Sequence, residues 1–176
     1  MATYVALLRA INLGARRKFP KEAIIAATEG AGFTDVATHI NTGNVRLATT
    51  MRSLARIEER LETAYAADRG FEVPSIVFPV AELRGIAADA DAIGEGHAGR
   101  HYVSFLRDEP DAEARAALEE RSSEAERVVL RGRAVHLLLG ENYHEARLNN
   151  AVVERHLGVA TNRNVTVLRA LAQRWC

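Results

Sequence analysis

The order of its elements constrains this chain more than anything else about it. Residues 3–11 form an apolar run that reads as a buried strand. Residues 20–31 follow as a helix, with Pro20 in its first turn, Ala23, Ile24 and Ala27 on one face, and Gly30 and Gly32 at its end. Val36, Thr38 and Ile40 then alternate with Ala37 and His39, Asn41-Thr42-Gly43-Asn44 supplies a turn, and Val45 and Leu47 resume the alternation, which is the pattern of a hairpin. Leu54, Ile57, Leu61, Ala64 and Tyr65 recur at helical spacing up to Gly70, and residues 73–80 return as a strand whose prolines at 74 and 79 favour a sheet edge. The first half therefore reads strand, helix, strand, strand, helix, strand.

A short helix around residues 81–89 leads to Gly94-Glu95-Gly96-His97-Ala98-Gly99, the best linker candidate in the chain. Beyond it the order resumes: a strand at 102–106, a helix at 111–121, and a hairpin of 126–130 with 135–139 around Arg131-Gly132-Arg133. Helices at 148–157 and 163–175 close the chain. The expectation is an α+β fold of two ferredoxin-like subdomains in tandem, residues 1–93 and 94–176.

Lys+Arg and Asp+Glu are equal at 23 each, so no global field steers the chain toward nucleic acid or an anionic membrane, and any such binding needs a local patch. The single cysteine, Cys176, cannot form an intramolecular disulfide, and no apolar run approaches the length of a membrane span. With no signal-peptide pattern at the start, the expected compartment is the cytoplasm.

The segments Leu7-Leu8-Arg9-Ala10-Ile11-Asn12-Leu13-Gly14, Phe19-Pro20, Gly32-Phe33-Thr34-Asp35-Val36 and Thr42-Gly43-Asn44 together resemble the signature of the bacterial family catalogued as domain of unknown function 1697. Arg147-Leu148-Asn149-Asn150 and Thr161-Asn162-Arg163-Asn164-Val165 resemble its C-terminal motifs. The resemblance implies the paired ferredoxin-like fold and no established activity. The chain differs in having alanine at 10 and 15, where the family pattern has glycine, and valine at 165 in place of tryptophan. The alanines reduce backbone freedom in the loop, and the valine removes an aromatic surface.

Arg9 on an apolar strand needs an acceptor: either an anionic ligand reached from the sheet end, or a structural pair with a carboxylate or with helix C-terminal carbonyls. Arg16, Arg17 and Lys18 form a basic loop after Gly14, which reads as a solvated loop or as part of an anion site. Asn12, Asn41 and Asn44 suit turns. Asn149, Asn150, Arg163 and Asn164 fall in predicted first helical turns, where capping and anion binding are the alternatives.

His97 and His101 have the spacing of helix-borne metal ligands, but the glycines around them break a helix and no third ligand is evident. No cofactor fingerprint or covalent nucleophile is present, so neither a metal nor an organic cofactor is expected. The resulting expectation is a small anionic or phosphorylated ligand bound by Arg9, Asn12, Arg16, Asn44, Asn149 and Arg163. The alternative is a noncatalytic interaction module or a weak RNA-binding protein. RNA binding on such sheets needs exposed aromatic residues, for which only Tyr4, Tyr102 and Phe105 are candidates, so nucleic acid ranks lower.

Overall fold

The computed structural model describes residues 1–176. The chain divides into two compact units, one of residues 1–83 with Trp175, the other of residues 84–174 with Cys176. In the first, β1 (Ala2–Leu8), α1 (Lys21–Gly30), β2 (Thr34–Thr38), β3 (Asn44–Thr49), α2 (Leu54–Arg69) and β4 (Ser75–Pro79) follow the expected order, and an antiparallel sheet forms in the order β2-β3-β1-β4. The split arrangement, with β3 inserted between β1 and β2, is that of the ferredoxin-like fold. β4 lies at an edge, as its prolines require. Its backbone is covered there: the amides of Ser75 and Val77 donate to the carboxylates of Glu62 and Glu58, one turn apart on α2, each at 2.9 Å. A buried Glu58 is thus satisfied, and an exposed strand edge is blocked.

Period-two alternation places Tyr4, Ala6 and Leu8 of β1 and Val45 and Leu47 of β3 on one face, packed with Ile24 of α1 and Ile57, Leu61 and Tyr65 of α2. Tyr65 is fully buried, and its hydroxyl meets the Thr28 hydroxyl at 2.7 Å; burial pushes its pKa up. Ser53 caps α2, accepting from the Arg56 amide, and Gly70 ends it with φ 74°, a left-handed conformation that glycine enters without a Cβ penalty.

The second unit repeats the plan. β5 (His101–Leu106), α4 (Ala112–Glu119), β6 (Arg127–Arg131), β7 (Ala134–Leu138), α5 (Asn150–Leu157) and β8 (Ala160–Asn164) build an antiparallel sheet in the order β6-β7-β5-β8. α4 and α5 cover the face formed by Leu106, Val128, Leu130, Val135, Leu137 and Ala160. Helix α6 (Val165–Trp175) follows β8 directly, and no helix in the protein is long and apolar enough to cross a membrane.

Three expectations change. The residues 160–164 form a strand, so the last helix begins at Val165 and Arg163 lies on β8 instead of in a helical first turn. The segment Ala-Thr-Asn-Arg-Asn carries almost no apolar signal, and its strand state is supplied by pairing with β5. α3 (Val80–Ile93) runs longer than expected, and the division between compact units falls within it, between Leu83 and Arg84, not at Gly94. Of the glycines after α3, Gly96 turns the chain at φ 75° with open space around it, but two are tightly packed: a Cβ on Gly99 would stand 2.0 Å from the Leu139 carbonyl oxygen, and one on Gly94 2.9 Å from that of Ala90. These two serve close backbone approach, not flexibility.

Candidate functional site

At the end of the first sheet, two loops meet: residues 9–20 between β1 and α1, and residues 39–43 between β2 and β3. The chain leaves β1 with the Arg9 amide bonded to the Pro74 carbonyl at 2.9 Å, which ends the regular pairing. Arg9, expected on the apolar strand, lies beyond its end and is only half-buried. From there a small hairpin forms. The Asn12 amide donates to the Arg17 carbonyl at 2.8 Å and the Arg16 amide to that of Leu13 at 3.2 Å, leaving Gly14 (φ 59°) and Ala15 as the two turn residues. Glycine at the first central position suits a turn of the II′ kind. Leu13, Gly14, Ala15, Arg16 and Lys18 are all exposed.

Asn12 fixes this hairpin. Its side-chain oxygen accepts from the Phe19 amide at 2.9 Å, and its Nδ2 donates to the carbonyls of Phe19 at 3.1 Å and Asn41 at 2.9 Å, so one amide closes its own loop and ties it to the other. Phe19 anchors the far end in the core, edge-on to Tyr65 with ring centroids 5.1 Å apart. The Arg17 guanidinium donates to the carbonyls of Ala10 and Glu72 and lies 4.6 Å from the centre of the Phe71 ring. It is a structural latch, which leaves Arg16 and Lys18 as the exposed cations of the basic run.

In the second loop, Asn44 is completely buried and donates from Nδ2 to the His39 carbonyl and the Thr42 hydroxyl, both at 2.9 Å. Gly43 (φ 80°) passes so close to the first loop that a Cβ there would meet Leu8 Cβ at 2.7 Å and Ile11 Cδ1 at 2.9 Å. Four of the five non-glycine residues with positive φ, namely Ala10, Asn12, Arg17 and Ile40, belong to these two loops; the fifth, Asp35, sits at the bulge of β2. Left-handed backbone is costly for alanine and for a β-branched residue such as Ile40, and such strain concentrates at functional sites. Ala10 holds φ 57°, a conformation that glycine adopts without a Cβ penalty.

The remaining predicted residues lie in the second unit. Asn149 caps α5, its side chain accepting from the Val152 amide at 3.0 Å, and Asn164 caps α6 in the same way through Val167 at 2.9 Å. Arg163 is buried on β8, donating to the Thr161 hydroxyl at 2.9 Å and the Asn162 carbonyl at 2.7 Å. Burial lowers its pKa to about 10, which leaves it charged at neutral pH. Strand register puts it on the sheet face opposite the one α5 covers, so Asn149 and Arg163 do not form one site.

One cluster escapes motif reading. His101 and His136, on adjacent strands of the second sheet, are both buried, with His101 Nε2 3.2 Å from His136 Nδ1, and His136 Nε2 has no hydrogen-bond partner. Burial is the main cause that holds both well below the ordinary histidine range, at about 4. The only sequence signal was histidine among apolar strand residues. No group of three or more His, Cys, Asp or Glu side chains is placed to hold a metal ion. Of the aromatic residues that could stack on RNA, Tyr4 and Phe105 are in the core, and Tyr102 stacks on Tyr143 with ring centroids 4.4 Å apart.

Residues 1–136 match the family model described as "Protein of unknown function (DUF1697)". The chain belongs to the DUF1697 family. Its fold is similar to that of the conserved bacterial protein SP0830 from Streptococcus pneumoniae, with a TM-score of 0.78 and 20% identity over 98% of this chain and 97% of that one. No curated protein matches the chain. At that identity the likeness to SP0830 carries the fold alone. Within the DUF1697 chain, then, the stapled loops stand as the candidate site on their own geometry.

Proposed function

We propose that this protein binds a small anionic ligand, a phosphate or a carboxylate, at the β1–α1 loop of the first unit. One observation carries the reading: left-handed backbone is concentrated in two loops locked together by Asn12, and the hairpin they hold presents an exposed Arg16. In this reading Arg16 supplies the charge-assisted hydrogen bonds, Lys18 adds positive potential, and Arg9 flanks the site. Asn12 and Asn44 position the loops without contacting the ligand. Asn149 and Arg163 keep their capping and sheet roles.

The test is a thermal-shift panel of inorganic phosphate, nucleotides, sugar phosphates and simple carboxylates, run beside a nonspecific single-stranded RNA. A ligand at a hundred times its dissociation constant adds about 2.7 kcal/mol of stability. Arg16→Ala should weaken the best anion tenfold or more while changing stability by less than about 0.5 kcal/mol, as expected of an exposed loop position. Affinity should also fall as salt rises. A panel in which no anion stabilises the protein refutes the proposal and favours the interaction-module reading.

A further inference from the structure

The exposed large apolar residues of the chain are few: Met1, Leu13, Ile40 and Val159. Two of them sit at the candidate site, Leu13 at 59% exposure beside the turn and Ile40 at 41% on the second loop. They are the chain neighbours of Asn12 and Asn41, the two ends of the 2.9 Å hydrogen bond that ties the loops together. Ile40 also holds φ 52°, a conformation that a β-branched side chain adopts only under strain, and it does so with that side chain turned to solvent, where packing returns little. Leu13 is bridged to Arg16 across the turn, so an exposed apolar residue and the exposed cation share one short hairpin, and the Asn12–Asn41 bond brings the loop of Ile40 against it.

We infer that the ligand is an anion joined to an apolar or aromatic group, whose charged end meets Arg16 and whose apolar end lies against Leu13 and Ile40. This rests on the anion-site reading above and narrows its substrate class from anions in general to amphiphilic phosphates or carboxylates.

Calorimetric titration of the intact protein with inorganic phosphate and with phenyl phosphate tests it. Phenyl phosphate should bind about tenfold tighter, the contribution of partly covering two aliphatic side chains. The double variant Leu13→Ser/Ile40→Asn should lose that preference while keeping its affinity for inorganic phosphate. Asparagine tolerates the left-handed backbone at 40, and circular dichroism checks the fold. Arg16→Ala should weaken both ligands alike. Equal affinity for the two phosphates, or a preference that survives the double variant, overturns this inference and leaves the anion site standing. Binding of phenyl phosphate that depends on Leu13 and Ile40 but not on Arg16 overturns the anion site itself, and absence of binding by either phosphate overturns both.

Discussion

Acidification should destabilise this protein through the buried histidine pair on the second sheet. His101 and His136 are linked at 3.2 Å; burial is the largest influence disfavouring a proton on either ring, and the charges around them, mostly positive, add to it. His97, Arg169 and Arg127 disfavour a proton on His101 against the single opposing influence of Asp91, while His101 and Arg131 disfavour one on His136. The folded state therefore keeps both rings neutral down to about pH 4, whereas the unfolded chain takes up protons at an ordinary value of 6.5. Because the unfolded state binds more protons between those limits, stability is intact above about pH 6.5, falls as the pH drops toward 4, and levels off below. At about 1.4 kcal/mol per pKa unit, each ring costs about 2 kcal/mol at pH 5. The two share one hydrogen bond and titrate as a pair, so the combined loss is about 2–4 kcal/mol, a large fraction of a typical domain's 5–15 kcal/mol. Urea denaturation at pH 7.5, 6 and 5, compared with the same series for His101→Leu/His136→Leu, isolates this loss, since all other titrating groups are common to both proteins. The wild type should lose about 2–4 kcal/mol more than the variant between pH 7.5 and 5. Parallel stability curves would refute the reasoning, as would histidine NMR titrations giving both rings ordinary pKa values, a measurement that needs no variant.

Three further outcomes follow from the loops. Gly43→Ala should destabilise the protein by more than about 2 kcal/mol in chemical denaturation, since the new Cβ meets Leu8 and Ile11 inside 3 Å on a backbone at φ 80°. Asn12→Ala removes three hydrogen bonds that close and join the loops; it should cost about 2–3 kcal/mol and raise amide exchange of residues 12–19, and unchanged exchange would show that the hairpin holds itself. Ala10→Gly should raise the melting point, with a gain of up to about 1 kcal/mol, because it relieves the Cβ clash of a left-handed alanine; a loss would mean that the φ of 57° carries no strain.

Much of this protein was decided within a few residues of sequence. The first unit's order follows from period-two and period-3.6 spacing, and Gly70, Gly132, Asp111, Asn149 and Asn164 end, turn or cap their elements through backbone conformations and hydrogen bonds that reach at most three or four positions along the chain. Asn12 and the turn residues around Gly43 were legible as loop formers for the same reason. Tertiary structure decided what no local signal encodes. The segment 160–164 is a strand because β5 offers it partners, although four of its five residues are polar or charged. Arg17 became a latch and Arg16 stayed exposed, though they adjoin in one basic run, because only Arg17 finds the carbonyls of Ala10 and Glu72. Gly99 was needed for close packing on Leu139, and Gly94 for the approach of Ala90 and His101, which sequence composition cannot separate from flexibility. The pairing of His101 with His136 depends on strand register, and register is fixed by the whole sheet.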